Sequence, residues 1–236
     1  MLTYVFGDTH GCCDLAMELV AKVDTHAAGR DHRRVWLGDY IDRGSQSAQL
    51  VTYLIKSKAS RPQDVFLIGN HEDMLLANVD DWPAPYPAAT RDILAKSFLL
   101  NGGAQTLSSY GVRSVMELPP DHLSFFKGLS LTWEDHLRFY VHAGVKPGVP
   151  LAMQDRHDLL WARGEFLEFE ERFEKYIVHG HTPIGPAIRD NRCNLDAGVY
   201  INGTLTAGVF DDESEKPRKL LQVSRAGSIS HRRAGA

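Results

Sequence analysis

The chain has 236 residues, of which 43% are hydrophobic and 24% are charged, and its net charge is −4. This composition is ordinary for a soluble globular protein, and the length suits one well-cored domain with little chain left for a second. No apolar run approaches the ~18 residues of a membrane span, and no signal peptide is visible, so we expect no membrane partner. The three cysteines are typical of a reducing compartment, which predicts a cytoplasmic protein.

Three strand-and-helix units are predicted in the first 77 residues. Short apolar runs predict strands over residues 3–6, 35–37 and 65–68, and helical spacing of apolar residues predicts helices over 10–23, 45–58 and 71–77. Such an alternation indicates parallel strands joined by right-handed crossovers.

The polar residues that follow these strands are evenly spaced. Asp39 follows Asp8 by 31 residues, and Asn70 follows Asp39 by 31 residues. One strand-helix-strand unit takes ~30 residues. The spacing therefore predicts that all three side chains lie side by side at the carboxyl edge of one sheet, where open α/β folds bind ligands.

The second half of the chain predicts mostly strands. Residues 78–127 are predicted to be a largely helical insertion that borders the site. A hairpin is expected over 129–141, and further strands are expected over 176–178, 192–196, 204–210 and 220–223, which indicates an antiparallel second half. Two sheets packed face to face with helices outside would accommodate both halves, an α/β fold with a central β-sandwich of mixed sheets.

The end of the chain is basic. From Lys216 onward there are six basic and no acidic residues. A basic end can contact nucleic acid or anionic lipid, but its glycine, serine and alanine content favours a solvated terminus. We predict one domain over 1–223, a flexible tail over 224–236 and no nucleic-acid partner.

Glycine-flanked polar residues with oxygen or nitrogen donors recur at the ends of the apolar runs. Carboxylate, amide and imidazole donors without a thiolate suit manganese, iron or zinc. A single Gly-Asp or His-Gly is weak evidence, but five such signatures together predict a metal site. The predicted ligands are Asp8, His10, Asp39, Asn70, His142 and His181.

These signatures resemble the motif series of the PPP-type metallophosphatases, the serine/threonine protein phosphatases, in their bacterial and bacteriophage branch. The motifs are GDTHG (7–11), GDYIDRG (38–44), GNHE (69–72), HAG (142–144) and GHTP (180–183). The segments LLNGGAQTLSSYG (99–111) and LLWARGEF (159–166) are also similar to that branch. The resemblance implies a calcineurin-like metallophosphoesterase fold.

The resemblance also implies two divalent metal ions, with manganese expected and iron or zinc as alternatives. One ion would be held by Asp8, His10 and Asp39, and the other by Asn70, His142 and His181 with Asp39 bridging. Two metals a few Å apart can share a water and lower its pKa, so that hydroxide attacks the phosphorus directly.

Four further residues carry the rest of the expected chemistry. His71 would protonate the leaving oxygen, because a histidine oriented by a carboxylate is a natural proton donor, and the resemblance names Asp42 as that carboxylate. Arg43 and Arg163 would bind the phosphate oxygens, for which a guanidinium fork is well suited. A local ion pair for Arg43 and a surface position for Arg163 are the alternatives.

The implied function is a phosphoric monoester hydrolase that acts on phosphoserine and phosphothreonine, and on phosphotyrosine as an option, in a phosphoprotein or phosphopeptide. The rival is a symmetrical dinucleoside polyphosphate hydrolase, a relative that typically lacks the aspartate of DRG and has GNHD. A catalytically dead binding module is the third reading, but no ligand or acid is missing. The roles of His179, as ligand or structural residue, and of Asp196, as support for the site, stay open.

Overall fold

Two five-stranded sheets form the centre of the protein in a computed structural model that describes residues 1–83 and 85–225. The first sheet contains β1 (Leu2–Phe6), β2 (His32–Trp36), β3 (Val65–Phe66), β9 (Thr204–Phe210) and β10 (Lys219–Ser224). The second contains β4 (Thr132–Glu134), β5 (Arg138–Val141), β6 (Tyr176–His179), β7 (Ala187–Ile188) and β8 (Arg192–Asn194). The predicted α/β fold with two mixed sheets and outer helices is confirmed.

The first sheet has the order β10-β9-β1-β2-β3. β1, β2 and β3 are parallel, with Phe6 opposite Trp36 and Trp36 opposite Phe66. β9 pairs antiparallel with β1, and β10 pairs antiparallel with β9. The last two strands thus return to the sheet that the first strand began.

The second sheet has the order β4-β5-β6-β8-β7 and is also mixed. The predicted hairpin exists, since β4 and β5 are antiparallel. The prediction of an antiparallel second half is correct for the pairs β4–β5, β7–β8 and β9–β10. It is wrong for the centre of this sheet, because β5, β6 and β8 are parallel. Parallel neighbours need a long connection, and residues 142–175 provide one between β5 and β6.

Helices cover the outer faces of the sandwich. Their bounds are α1 (Cys13–Ala27), α2 (Ser47–Ser60), α3 (Asn70–Leu76), α4 (Ala88–Phe98), α5 (Ala104–Tyr110), α6 (Pro120–Lys127), α7 (Arg156–Trp161), α8 (Gly164–Glu168) and α9 (Val199–Asn202). α4, α5 and α6 lie within the predicted insertion, and a π-helical turn over Leu99–Gly103 joins α4 to α5. No helix in the described part of the chain combines the length and hydrophobicity needed to cross a membrane.

Successive side chains of a strand point alternately into two apolar layers, as the two-residue period of a strand requires. In β1, Val5 faces the other sheet, whereas Tyr4 and Phe6 face the helices. The layer between the sheets also contains Val35, Leu67, Tyr140, Val178 and Phe210. This double burial fixes the register of the strands, and with it the position of each loop at their carboxyl ends.

The predicted tail begins within a strand, because Ser224 ends β10. Arg225 lies 3.3 Å from the Asp14 carboxylate. The remainder of the predicted tail, residues 226–236, lies outside the described residues.

Candidate active site

The loops after β1, β2 and β3 meet at one edge of the first sheet. The His10 amide donates to the Asp39 carbonyl at 2.8 Å, and the His71 amide donates to Asp39 Oδ1 at 3.1 Å. Gly69 allows this approach, since a Cβ there would lie 2.1 Å from Asp39 Oδ1. The 31-residue spacing therefore does bring Asp8, Asp39 and Asn70 to one sheet edge.

The second sheet contributes two imidazoles to the same place. His142 directly follows β5, and His181 follows β6 by two residues. The His181 amide donates to Asp8 Oδ2 at 3.0 Å. Gly180 is required here, because a Cβ would lie 2.1 Å from Asp8 Oδ1. The site thus lies where the edges of the two sheets meet.

Two clusters of metal-binding atoms share Asp39. Ligand atoms of Asp39, His142 and His181 all lie within 4.8 Å of one another, and those of His10, Asp39 and His71 do the same. Asn70 Oδ1 lies 2.8 Å from His142 Nε2 and 2.9 Å from His181 Nδ1. All six predicted ligands are buried, and Asp39 has the central position that a bridging ligand needs.

The histidine contacts fit a bound cation. His142 Nδ1 donates to the Leu37 carbonyl at 2.9 Å, and His10 Nδ1 donates to the Ile41 carbonyl at 3.0 Å. Each Nε2 then carries a lone pair, since burial lowers the pKa of His142 to about 3 and the pKa of His10 well below its usual value. His142 Nε2 points at the amide oxygen of Asn70, and two facing lone pairs repel unless a cation lies between them.

The carboxylates of the site fit the same conclusion. Burial, with the neighbouring charge of Asp196, raises the pKa of Asp8 well above its usual value, and burial also raises the pKa of Asp39. Buried carboxylates this close need a positive partner to stay charged. Oxygen and imidazole donors of this kind suit manganese, iron or zinc.

Backbone strain is concentrated in these loops. Six non-glycine residues of the described chain have positive φ, and five of them belong to the site. Left-handed backbone costs of order 1–3 kcal/mol per non-glycine residue and persists where the surroundings fix it. The five are His10, Asp39, Asp42, Arg43 and His181.

The Glu72 carboxylate is hydrogen-bonded to the backbone of the strained loop. Its two oxygens accept from the amides of Gly69, Asp39 and Tyr40 at 2.8–2.9 Å. Glu72 is fully buried, and burial with the charge of Asp39 raises its pKa to about 8. The glutamate of GNHE thus ties the loop after β3 to the loop after β2.

His71 forms a pair with Asp42 inside the cleft. Asp42 Oδ2 lies 2.6 Å from His71 Nδ1, and both side chains are buried. Burial lowers the pKa of His71 and raises the pKa of Asp42 well above its usual value, and the short contact lets the Asp42 carboxylate accept from His71 Nδ1–H. His71 Nε2 lies 3.8 Å from Asp39 Oδ2, within the cluster that His71 forms with His10 and Asp39. Because Nδ1 is hydrogen-bonded to Asp42, Nε2 is the ring nitrogen of His71 that is directed to the cleft.

The cleft above the clusters has a volume of about 230 Å³ and contains both predicted arginines. The Arg43 guanidinium lies 4.2 Å from the ring centroid of Tyr200, and the same ring packs edge-to-face on His10 at 4.9 Å. Arg163 is exposed, and its guanidinium reaches the His181 carbonyl at 3.5 Å. The two cations therefore face the space above the clusters from different loops.

His179 lies on the other side of its strand. Its ring packs edge-to-face on Phe166 at 4.9 Å, and Nδ1 donates to the Gly180 carbonyl at 3.1 Å. Burial lowers its pKa to about 3. His179 does not join either cluster of ligand atoms, whereas Asp196 lines the cleft with a pKa raised to about 7 by burial.

Sequence reasoning missed several residues that line the cleft or contact its residues. Tyr200 lies two residues after Gly198, but nothing in its neighbourhood distinguishes it from a core aromatic residue. Asn101 and Thr106 belong to the segment LLNGGAQTLSSYG, whose glycines give the only local signal. Trp161, two residues before Arg163, also lines the cleft.

A sequence profile described as calcineurin-like phosphoesterase matches residues 1–185, well over half of the chain. The chain belongs to the calcineurin-like phosphoesterase family. It is a metallophosphoesterase, a hydrolase of a family that uses divalent metal ions, and the two clusters supply ligands suited to them.

Two curated relatives are dinucleotide hydrolases by name. A symmetrical bis(5'-nucleosyl)-tetraphosphatase of Yersinia enterocolitica is 37% identical over 78 residues, which are 33% of this chain and 25% of that protein. The match spans only about a quarter of that relative. The asymmetrical bis(5'-nucleosyl)-tetraphosphatase PrpE of Halalkalibacterium halodurans is 24% identical over 88% of this chain and 89% of that protein.

Solved structures share the fold. A candidate diadenosine tetraphosphatase superposes with a TM-score of 0.68 at 20% identity, over 94% of this chain and 93% of that chain. A protein serine/threonine phosphatase of Saccharomyces cerevisiae gives 0.58 at 17% identity, over 98% and 82% of the two chains. At these identities the likeness concerns the fold of this phosphoesterase.

Proposed function

We propose that this metallophosphoesterase hydrolyses phosphoserine and phosphothreonine monoesters in phosphoproteins. The observation that carries the proposal is the buried Asp42–His71 pair, with its 2.6 Å contact, beside the metal-binding clusters. The alkoxide of serine or threonine is strongly basic and leaves readily only when it receives a proton. A nucleoside polyphosphate is a weakly basic leaving group and has less need of an acid. The presence of a proton donor, the Asp42–His71 pair, therefore favours a monoester substrate.

The proposed ligands of one metal ion are Asp8, His10 and Asp39. The second ion would take Asn70, His142 and His181, with Asp39 shared. Divalent ions at these ligands, with manganese proposed, would supply Lewis-acid activation of water and of the phosphoryl group.

The chain's own residues bind the substrate and move its proton. Arg43 and Arg163 bind the non-bridging phosphate oxygens, and the Tyr200 ring holds the Arg43 guanidinium in place. His71 gives its Nε2 proton to the leaving oxygen, while its Nδ1–H remains hydrogen-bonded to the Asp42 carboxylate. Asp42 thus keeps the imidazole oriented and stabilises its charged form.

The shape of the cleft also supports a polypeptide substrate. Its volume of about 230 Å³ is below the ~300–1,000 Å³ of most small-molecule sites, so it suits a phosphoryl group while the rest of the substrate lies outside. Three exposed aliphatic side chains lie one residue in sequence from side chains that line the cleft. They are Leu100 (86% exposed), Ile184 (63%) and Ile201 (65%), next to Asn101, Pro183 and Tyr200. Such a rim can contact the apolar neighbours of a phosphorylated residue.

Dinucleoside polyphosphate hydrolysis is the second candidate. Both curated relatives described above carry a name of that class, and one of them aligns over 88% of this chain. The same metal ligands and arginines would serve a phosphoanhydride, so the two candidates differ in the need for the acid.

A substrate panel on the manganese-loaded enzyme tests the proposal. We expect kcat/KM to be at least tenfold higher for phosphoserine and phosphothreonine peptides than for diadenosine tetraphosphate, with a phosphotyrosine peptide as a further member of the panel. Asp39→Asn is the control, because loss of the shared ligand should abolish every activity that belongs to this site. A preference for diadenosine tetraphosphate that also disappears in Asp39→Asn would overturn the proposal in favour of the second candidate.

A further inference from the structure

The Asp42–Arg43 dipeptide packs against residues 102–106, which include the end of the π-helical turn and the start of α5. Asp42 and Arg43 have φ values of +70° and +67°. The Arg43 amide donates to the Gly102 carbonyl at 3.4 Å. Gly102 itself has φ +109°, and a Cβ there would lie 2.6 Å from the Arg43 nitrogen. The two segments are therefore packed backbone against backbone.

One hydroxyl closes a ring with Asp42. The Asp42 amide donates to Thr106 Oγ1 at 2.8 Å, and the Thr106 hydroxyl donates to Asp42 Oδ1 at 2.6 Å. Thr106 and Asp42 are fully buried. The Thr106 Oγ1 therefore accepts from the backbone and donates to the side chain of the same residue. This fixes the rotation of the carboxylate and directs Oδ2 to His71 Nδ1 at 2.6 Å.

A second buried hydroxyl contacts Thr106 and not Asp42 Oδ1 in the described hydrogen bonds. It is Ser47 Oγ, which lies 3.4 Å from Thr106 Oγ1. A buried carboxylate oxygen without a partner is costly, so a carboxylate that lost Thr106 would rotate or take up a proton. Either change weakens the contact with His71.

We propose that Thr106 is a positioning residue for the catalytic acid, acting through Asp42. In the step that it supports, water attacks as hydroxide and forms the new bond to phosphorus, the P–O bond to the leaving group breaks, and its electron pair stays on the leaving oxygen. That oxygen takes the Nε2 proton of the charged imidazolium of His71. His71 becomes a neutral imidazole whose Nδ1–H still donates to the Asp42 carboxylate. Thr106 keeps Asp42 aligned for this transfer, so the helical segment after the π-helical turn contributes to the chemistry. The inference rests on the acid role given to His71 above.

Thr106→Val tests the inference with a series of phosphate monoesters that runs from p-nitrophenyl phosphate to phenyl phosphate to a phosphoserine peptide. We expect kcat to fall about tenfold or more for phenyl phosphate and the peptide, which need the acid, and by a smaller factor for p-nitrophenyl phosphate. Thr106→Ser keeps the hydroxyl and should retain near-wild-type kcat across the series. Thr52→Val is the matched control, because Thr52 is a helical threonine whose hydroxyl donates to the Ala48 carbonyl.

A fall by the same factor for every substrate, or no fall, would overturn the inference. If Thr106→Val does not fold, Thr106→Ala replaces it, since alanine removes the hydroxyl without adding a second methyl group. His71→Asn separates this test from the proposed function. If His71→Asn also lacks a leaving-group dependence, the acid role itself is wrong. If His71→Asn shows the dependence and neither Thr106 variant does, only the role of Thr106 is wrong.

Discussion

Replacing Asp42 with asparagine separates the charge of the acid pair from its geometry. The asparagine Oδ1 can still accept from the Thr106 hydroxyl, which now lies 2.6 Å from Asp42 Oδ1. Its amide nitrogen then faces His71 Nδ1 at the position of the present 2.6 Å contact. An amide donates where the carboxylate accepts, so His71 Nδ1 must carry the lone pair and the charged imidazole loses its partner.

The size of the effect follows from the hydrogen bond that is lost. A hydrogen bond to a charged group contributes ~1.5–3 kcal/mol, and each ~1.4 kcal/mol is a factor of ten in rate. We therefore expect kcat for a phosphoserine peptide to fall by roughly 10- to 100-fold in Asp42→Asn. Folding stability should stay the same or rise, because burial raises the pKa of Asp42 and so opposes its charged form, which asparagine lacks.

The assay compares kcat for p-nitrophenyl phosphate, phenyl phosphate and the peptide, together with thermal unfolding and bound metal. The loss should grow as the leaving group becomes more basic, while the melting temperature stays at or above the wild-type value and the metal content is unchanged. An equal loss for all three substrates, or a loss that follows metal content, would refute the assignment of Asp42 to the acid.

Two further predictions concern Tyr200 and His179. Tyr200→Leu should raise the KM for p-nitrophenyl phosphate and the inhibition constant of inorganic phosphate several-fold, because Arg43 loses the ring that lies 4.2 Å away. Tyr200→Phe keeps the ring and should keep both values. Equal effects in the two variants would assign the role to the hydroxyl. His179 has a folded-state pKa of about 3 against an ordinary value of 6.5, so the unfolded chain binds its proton first and the stability contributed at neutral pH is lost as pH falls below about 6.5. The free energy of unfolding of wild type, relative to that of His179→Asn, should therefore decline by up to about 1.4 kcal/mol per pH unit as pH falls from 6.5 to 3. Chemical denaturation of both proteins at pH 7 and pH 5 measures this difference. A difference that is the same at both pH values would contradict the reasoning.

The sequence predicted the parts of the site that strand ends determine. Asp8, Asp39 and Asn70 converge because each follows one of three adjacent parallel strands, and that order is readable from a 31-residue repeat. His142 and His181 were found by their glycine-flanked motifs. Their approach to Asn70 depends on how the second sheet packs on the first, which no local pattern encodes.

The parallel pairing in the second sheet could not be read from the sequence. β5 and β6 are short and separated by a long polar segment, so their alternation alone fits either direction. Tyr200 lies 157 residues from Arg43, and Thr106 lies 64 residues from Asp42, the residues that they contact. Neither stands beside a motif glycine that marks a strand end. Contacts of this kind depend on tertiary packing and become visible only in the fold.

The central claim is that buried carboxylate, amide and imidazole donors around Asp39 hold the metal ions on which hydrolysis depends. Metal content by elemental analysis, measured with p-nitrophenyl phosphate hydrolysis on the same samples, tests it directly. We predict two divalent ions per chain, loss of activity when a chelator removes them, and recovery when Mn²⁺ is restored. Full activity in chelator with no metal bound would contradict the account.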